Sequence, residues 1–559
     1  MISYRKLAMR VLGHSPVSAA KTARRRSTAK RAAALALTAA LVVGMTLPAF
    51  AQDWFIENGD IKISAGTNGN NVTQGETTKE NDTDTVIKGN GSSTASSNSV
   101  TIEAGAGKTV NVTLDNVNID TSETWKAAVS VIGSGDTNIE LNGDNKLTSG
   151  DGYAGLEHNK KTDSEGKETS GTLTITDDKG DAGKLTATGG NQSAGIGGGK
   201  GYHGQVTITG GEITANGGDH GAGIGGGDCG NGTVTISGGT ITEASGGDLA
   251  AGIGGGAYSN GTVNISGGTI TKASGGDEGA GIGGGSSGNG TVTITDGDIT
   301  ATGGLWGAGI GGGVRRLGNV SIEGNVTIKN AKGGAGAAGI GGGARAEPDT
   351  EDTRNKVSIK STEAGSPTIT AIGGETYKGS YVSLPGAAAI GSGSVADGAT
   401  EVKSDITIEG KVIINATSGG DVAIGDSTGE TRFSGLQVGT TIKRTDSNGK
   451  DVTQPGDVVR EQAPTETEAA EAPSTGSVEV ERPVTVEGLY VTNVLGKQIT
   501  HTCTQNGTTL TIRANGIVTS AHLTLGMVRT LKAQGVKTLV FTTLLSRSTT
   551  VSVDALLAA

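Results

Sequence analysis

The sequence predicts an all-β protein built as a right-handed parallel β-helix, and three observations support this prediction. The chain has 559 residues, of which 100 are glycine and 9 are proline, a composition that excludes collagen. Valine and isoleucine alternate with threonine over short stretches, and this period of two favours strands over helices. The segment Gly-Ala-Gly-Ile-Gly-Gly-Gly or a near copy recurs every 28 to 30 residues, with its isoleucine at Ile196, Ile224, Ile253, Ile282, Ile310 and Ile340.

Each repeat contains three short extended segments separated by glycine-rich corners. In one repeat they are residues 222–225, 233–237 and 240–242. Three strands and three corners in about 29 residues describe one triangular coil, and stacked coils lie about 4.8 Å apart. Stacking predicts three internal ladders of aliphatic side chains, namely Ile208, Ile236, Ile265, Ile294 and Ile322; Val206, Val234, Val263, Val292 and Val320; and Ile213, Ile241, Ile270 and Ile299.

The N-terminus has the pattern of a secretory signal peptide. Residues 1–51 contain nine basic residues and no acidic one, and an apolar run at 32–43 is followed by Ala49-Phe50-Ala51, a typical cleavage sequence. We therefore expect a secreted or cell-surface protein. After Ala51 no stretch reaches 18 apolar residues, so we expect no integral membrane span once the signal is cleaved.

Composition divides the rest of the chain into four regions. Residues 52–190 are predicted to form an N-terminal cap and irregular β-helix coils, and residues 191–444 the regular repeats. A disordered linker rich in Pro, Thr and Glu is expected at 445–483. Residues 484–559 are expected to form a small α+β module, with a helix at 523–534 that ends before Gly535.

Charge and cysteine content limit the partners. Without the nine basic residues of the signal, 36 basic residues face 56 acidic ones, which disfavours nucleic acid as a ligand. Cys229 and Cys503 are 274 residues apart, so no disulfide framework is predicted. Two free thiols are the preferred interpretation, and a single bridge between them remains an alternative.

Three groups of residues are candidates for function. Asp219, Asp248 and Asp277 are spaced by 29 residues and would stack at one corner, either as solvated turn carboxylates or as a calcium site. No cofactor is required, and calcium is the one metal considered. A second stacked set, Asn231, Asn260 and Asn289, is interpreted as a structural ladder of amides. A third set is expected to cluster on one loop face, either as carbohydrate-binding residues, since aromatic rings stack on sugars and arginines pair with carboxylates, or as edge packing over adjacent coils: Tyr202, Tyr258, Trp306, Arg315 and Arg316.

Catalysis is not favoured by the sequence. The regular coils carry mostly Gly, Ser and Thr on their outer faces, and the one Asp-Asp pair, Asp177-Asp178, is typical of a solvated turn. Gly-rich matches to dinucleotide motifs recur in coil after coil without opening a helix, so they are interpreted as packing glycines. Whether the protein is an enzyme stays open, with a non-catalytic role preferred.

The repeats resemble the right-handed parallel β-helices of the pectate-lyase-like superfamily. They are more similar to secreted Gly-Ile-Gly-Gly-Gly repeat proteins of anaerobic Gram-positive bacteria, which are grouped with carbohydrate-binding β-helix domains. The resemblance covers residues 60–440 and implies binding of an extracellular polysaccharide, either a host glycan or a cell-wall glycan. The alternatives are a structural or adhesive surface stalk without a glycan site and a divergent polysaccharide lyase or hydrolase.

Overall fold

The protein consists of two compact units, Met1–Gln462 and Ala463–Ala559, which are described separately. The computed structural model describes residues 53–161, 165, 168–180, 183–347, 354–379, 383–395, 402–425, 430–459, 482–484, 486, 489–493, 497–514, 519–543 and 548–558. The predicted signal peptide at 1–51 lies outside the described residues, as does most of the predicted linker.

The first unit is a parallel β-helix with three rows of strands, as the sequence predicts. Row 1 runs along one face of the solenoid, and its members pair in parallel with their neighbours in adjacent coils. It consists of Asp53–Phe55, Val86–Lys88, Thr109–Asp115, Asp136–Asn142, Leu173–Thr176, His203–Ile208, Gly232–Ile236, the first halves of Gly261–Ser274, Gly290–Thr302 and Gly318–Lys332, and then Asn355–Lys360, Ser404–Glu409 and Glu430–Ser434.

Row 2 follows row 1 after a corner in each coil. In three coils the two rows are continuous through the corner and form strands of 13 to 15 residues. Row 2 consists of Asn118–Asp120, Asp144–Thr148, Lys184–Thr188, Glu212–Asn216, Thr240–Ser245, the second halves of the three long strands, Thr368–Ile372, Ile413–Thr417 and Thr441–Thr445.

Row 3 contains the isoleucines of the repeated motif. From Ile196 onward each of its strands is only two residues long, whereas the earlier members have five. Row 3 consists of Ile61–Ala65, Val100–Ala104, Val129–Gly133, Leu156–Lys160, Ile196–Gly197, Ile224–Gly225, Ile253–Gly254, Ile282–Gly283, Ile310–Gly311, Ile340–Gly341, Ile390–Gly391 and Ile424–Gly425.

The core is the set of ladders that the repeat spacing predicts. Ile236 is the register partner of Ile208 on one side and Ile265 on the other, and the predicted valine and second isoleucine ladders pair in the same way. These side chains are buried. The parallel β-helix prediction is therefore confirmed, and the interior is a narrow aliphatic column that needs few large residues.

Glycine keeps the row 3 strands short. Gly225 has φ +138°, and a Cβ there would lie 2.0 Å from the carbonyl oxygen of Gly254 in the next coil. The chain folds back around Ile224, because the Ala222 amide donates to the Gly226 carbonyl at 3.0 Å. Each regular coil therefore presents one inward isoleucine between two outward loops.

The N-terminal end of the solenoid is covered by an antiparallel hairpin. Asn70–Gln74 pairs with Ile61–Ala65 and with Thr77–Asp82, and a short 3-10 helix spans Ile56–Asn58. Trp54 is buried beneath this cap, and its indole Nε1 donates to Asp82 Oδ2 at 3.1 Å. These contacts cover the first open edge of the sheet.

The C-terminal end of the solenoid extends further than the sequence indicates. The sequence predicts a linker from residue 445, but residues 446–459 fold back on the last strand and include a 3-10 helix at Pro455–Asp457. Arg444 holds this segment through two hydrogen bonds to Asp457, 2.7 Å from Nε and 2.8 Å from Nη2. Residues 446–459 are therefore folded, in contrast to the expected linker, because the ion pair of Arg444 with the buried Asp457 anchors these turns. A hairpin of Tyr377–Lys378 and Ser383–Leu384 projects from an earlier coil.

The second unit is a small α+β module with its own apolar core. The predicted helix at 523–534 is observed as Leu525–Ala533, and Gly535 follows it with φ +87°. A second helix spans Val553–Ala558, and the strands are Arg482–Pro483, Tyr490–Asn493, Gln498–Ile499, His501–Asn506, Thr509–Ala514, Thr519–His522, Thr538–Thr542 and Ser548–Ser552.

Cys229, in the first unit, and Cys503, in the second, are both free thiols. Within the described part of the chain, none of the helices has the length and apolar character needed to span a membrane.

Candidate functional site: the corner face of the regular coils

Two loops in each regular coil flank the row 3 strand and touch each other through backbone hydrogen bonds. The Ala257 amide donates to the His220 carbonyl at 2.9 Å, and two coils further on the Val314 amide donates to the Glu278 carbonyl at the same distance. Together the loops form one continuous surface, the corner face, at residues 189–193, 199–203, 217–221, 227–231, 246–250, 256–260, 275–279, 285–289, 303–307, 313–317 and 343–347. All eight site residues predicted from the sequence lie on it.

One row of the corner face has a left-handed backbone at non-glycine residues. The φ angles are +56° at Cys229, +56° at Tyr258, +53° at Ser287, +64° at Arg315 and +58° at Arg345. This conformation is costly for residues with a Cβ and persists where the surroundings hold it. The amides of four of these residues donate to carbonyls of the neighbouring coil, as in Arg315, which donates to the Ala344 carbonyl at 2.8 Å; the other three are Cys229, Ser287 and Arg345. Tyr258 and Arg315 are exposed, Tyr258 to 58%.

Tyr202 and Arg316 lie in the row beside it. Their carbonyls accept hydrogen bonds from the equivalent Gly227 and Gly343 amides of the following coils. They are four coils apart, about 19 Å at the usual strand spacing. Tyr202 is 46% exposed, and Arg316 Nε donates to the Ser287 carbonyl at 3.0 Å. The predicted residues therefore form a line along the solenoid axis rather than a single pocket.

Trp306 differs from the other four predicted sugar-binding residues. Its ring packs edge-on against Tyr377, with 4.7 Å between ring centroids, over a small cluster that contains Leu384. It is half-buried and covers the seam between the coil and the projecting hairpin. Its main role in the fold is packing.

Arg345 belongs to the same basic group and was missed from the sequence. It is the register equivalent of Arg315 in the next coil. The signal that could have revealed it is the 30-residue spacing between the two arginines, which equals the spacing of Ile310 and Ile340. The C-terminal part of the corner face is therefore basic.

The three predicted metal-binding aspartates are stacked on the same face. The carbonyl of Asp248 accepts from Glu278 at 3.1 Å and that of Asp277 accepts from Trp306 at 2.8 Å, so the loops are in register, and all three side chains are exposed. Among the described residues there is no group of three or more His, Cys, Asp or Glu side chains close enough to share a metal ion. The calcium site at Asp219, Asp248 and Asp277 stays a prediction. The corner face thus changes from acidic to basic along the axis.

The asparagine ladder has a structural role, but its hydrogen bonding differs from the expected pairing of amide with amide. Asn231 Oδ1 accepts from the Asn260 backbone amide at 2.9 Å, and Asn260 Oδ1 accepts from Asn289 at 2.8 Å. The ladder therefore joins each side chain to the main chain of the next coil, because the corner leaves that amide without a strand partner. His203 Nδ1 accepts from the Asn231 amide at 2.7 Å and begins the ladder.

Cys229 lies beside two polar neighbours on the corner face. Its Sγ is 3.6 Å from Asp228 Oδ1, and His220 Nδ1 is 3.7 Å from the same oxygen. Burial, followed by the Asp228 charge, raises the pKa of the Cys229 thiol. A thiol with a raised pKa is a poor nucleophile at neutral pH, so this group lacks the activated thiolate that cysteine catalysis needs.

Glu157 replaces glycine at one position of row 3. It is the register partner of Gly197, and its Oε2 accepts from the Ala154 amide at 3.3 Å. In the next coil the Gly198 carbonyl makes the corresponding bond to Ala194. Burial raises the pKa of the Glu157 carboxyl to about 7, against the lowering effect of the Ala154 hydrogen bond. The carboxyl group thus substitutes for a backbone carbonyl and titrates near neutral pH.

Comparison with known proteins identifies the class. A family model described as a beta helix repeat matches five segments of the chain, residues 181–200, 206–228, 234–257, 263–286 and 292–314. Neither the curated proteins nor the solved structures gave a match. The chain is a β-helix repeat protein, and the matched segments include most of the corner face.

Proposed function

We propose that the protein is a secreted or cell-surface, non-catalytic β-helix that binds an extracellular acidic polysaccharide on its corner face. The observation that carries the proposal is the placement of exposed Tyr258 and Arg315 in one outward row, two coils or about 10 Å apart, on a backbone fixed by hydrogen bonds. A straight, rigid row suits an extended polymer.

The chemistry of this row fits a sugar that carries carboxylates. Tyrosine rings offer apolar faces for sugar rings and a hydroxyl for hydrogen bonds. Arg315 and Arg345 present guanidinium groups that pair with carboxylates in two parallel hydrogen bonds. The basic end of the corner face would therefore contact uronate groups, and Tyr258 would stack on a neighbouring sugar.

Calcium enters the proposal through the acidic end of the same face. The carboxylates of Asp219, Asp248 and Asp277 would repel those of a uronate polymer. A hard cation that prefers oxygen ligands, such as Ca²⁺, would bridge the aspartate and the uronate carboxylates. Binding that depends on calcium would place the polymer along the whole corner face. Binding that is insensitive to a chelator would restrict it to the arginine end.

The test uses residues 52–559 with an environment-sensitive fluorophore on Cys229, next to Tyr258. Because the pKa of this thiol is raised, labelling is done at mildly alkaline pH. Hexagalacturonate is titrated with calcium and with EDTA. The double variant Arg315→Asn/Arg345→Asn should bind about 10-fold more weakly, and asparagine is chosen because it tolerates the left-handed backbone.

Lys272→Asn/Lys329→Asn is the matched control, since it removes two exposed cationic side chains that lie on row 2 of the regular coils, outside the corner face. It should leave the affinity unchanged. Absence of uronate binding by the unsubstituted chain would eliminate the proposed function and favour a stalk. Release of unsaturated or reducing products from polygalacturonate would show that the protein is an enzyme.

A further inference from the structure

We propose that a second carbohydrate site, for an uncharged oligosaccharide, lies in a groove of the N-terminal coils and is independent of the corner face. The groove has a volume of about 540 Å³, within the range of about 300–1,000 Å³ that is usual for ligand sites. Its lining is rich in threonine and includes the polar side chains of Asp84, Asn111, Asn138, Glu140, Asp178 and Lys179.

The floor of the groove consists of the outward side chains of three adjacent row 1 strands. Asn111 is the register partner of Asn138, which is the partner of Thr174. Asn138 Nδ2 donates to Asn111 Oδ1 at 2.8 Å, so the two amides hold each other in place. Apart from the buried Thr137, the inward residues of the same strands that belong to the core are aliphatic, and the floor is therefore a rigid polar surface.

One wall is fixed by a buried carboxylate. Glu140 is 9% exposed, and its oxygens accept from the backbone amides of Asp178 at 3.2 Å and Lys179 at 2.8 Å. These two bonds hold the 177–179 turn beside the floor. The opposite wall is the 83–85 segment, where Thr85 is buried and its carbonyl accepts from the Thr113 amide at 2.9 Å.

Lys179 connects the two walls. Its Nζ donates to Thr113 Oγ1 at 3.3 Å and is 3.6 Å from Asp84 Oδ1. Both Lys179 and Asp84 are about 60% exposed, so this ion pair is weak and readily exchanged for contacts with a ligand. Lysine, threonine and asparagine then offer donors and acceptors spread over the groove.

The charge of the lining selects the class of sugar. Three carboxylates, of Asp84, Glu140 and Asp178, face one ammonium group, of Lys179. A uronate would be repelled, whereas sugar hydroxyls can donate to carboxylate and amide oxygens. The groove therefore suits a hydroxyl-rich, uncharged oligosaccharide, the opposite preference to that of the arginine end of the corner face.

The experiment compares Asn138→Ala with Asn264→Ala in residues 52–559. Asn264 lies in the same outward register, four coils further on and outside the groove, so the two variants delete the same group from equivalent strands. An array of uncharged oligosaccharides identifies the ligands, and calorimetry measures their affinity. Asn138→Ala should weaken binding about 3- to 10-fold, and Asn264→Ala should not change it.

Three results would overturn the proposal. The first is the absence of binding to every uncharged oligosaccharide, and the second is equal affinity of Asn138→Ala and Asn264→Ala for the ligand. The third is that hexagalacturonate or a glucosamine hexamer binds in the groove more tightly than the uncharged ligands do. A lower melting temperature of Asn138→Ala would show that its weaker binding comes from misfolding of the groove. Lys179→Met, which changes an exposed side chain, then serves as the second variant. Arg315→Asn should leave this binding unchanged, which separates failure of the groove from failure of the corner face.

Discussion

The N-terminal coils and the regular coils have the same interior and different exteriors. Ile139 is paired with Val112 and Ile175, much as Ile265 is paired with Ile236 and Ile294, and all are buried. Outside, residues 53–190 carry long turns that build a polar groove, whereas residues 191–344 carry short glycine-rich loops that build a flat face. Stacking of coils therefore fixes the core and leaves the loops free to differ in shape and charge.

The largest expected effect tests whether the two regions share one kind of core. Ile265→Ala and Ile139→Ala should each lower the free energy of unfolding by about 2–5 kcal/mol, because each leaves a cavity in a fixed ladder. Urea denaturation followed by circular dichroism measures the loss. The outward neighbour Asn264→Ala should change stability by less than about 0.5 kcal/mol. A small loss at Ile139 alone would show that the N-terminal coils pack more loosely.

A second prediction concerns Glu157, where the long-loop coils meet the glycine-rich ones. Its carboxyl has a pKa of about 7 when folded and an ordinary value when unfolded, so the folded state holds a proton that the unfolded state releases. Stability should then fall as the pH rises from about 4.5 to 7, by up to roughly 3 kcal/mol.

Glu157→Gln should remove this pH dependence and be more stable than the unsubstituted chain at pH 8. Urea midpoints at pH 5 and pH 8 give the comparison. Glu103→Gln is the control, because Glu103 is an exposed residue of the same strand row. Identical pH profiles for Glu157→Gln and the unsubstituted chain would mean that the carboxyl is not buried as described.

The third prediction concerns the line of exposed tyrosines. Tyr258 lies two coils from Arg315, and Tyr202 lies four coils from Arg316. Tyr258→Asn should therefore weaken hexagalacturonate binding about 3- to 10-fold, and Tyr202→Ala should do so less, if the ligand spans the arginine end. Calorimetry checks this order. The reverse order would place the sugar at the acidic end of the corner face.

The smallest effect is expected from a surface ion pair between coils. Lys272 Nζ is 2.6 Å from Glu243 Oε1, and this hydrogen bond, assisted by Ser245, lowers the pKa of the Glu243 carboxyl. Both side chains are more than a third exposed. Lys272→Ala should cost less than about 1 kcal/mol, and the cost should vanish in high salt. A larger cost that survives salt would show that outer contacts, and not the ladders alone, hold the coils together.

The repeat spacing made the fold and the corner face predictable. The period near 29 places Ile236 on Ile265 and Asp248 on Asp277, since each coil repeats the same path. The spacing could not show that Trp306 would pack against Tyr377, because that contact depends on a hairpin inserted between the row 2 and row 3 strands of one coil.

The groove escaped sequence reasoning for a related reason. Asp84, Glu140 and Lys179 are distant in sequence and come from loops of unequal length, so no fixed interval connects them. One signal was present in Asp177-Asp178, a pair that the sequence assigned to a solvated turn. Asp178 lines the groove, and its backbone amide is bound by the Glu140 carboxylate. Irregular loops follow no period, and their partners become visible only in three dimensions.

The most direct test of the account is to ask whether one chain binds two glycans at once. Residues 52–559 are saturated with hexagalacturonate, and the uncharged oligosaccharide selected on the array is then titrated by calorimetry. Two separate surfaces predict that its affinity stays within about 2-fold of the value without hexagalacturonate. Loss of affinity in proportion to the hexagalacturonate concentration would mean that both ligands compete for one site and would contradict the account.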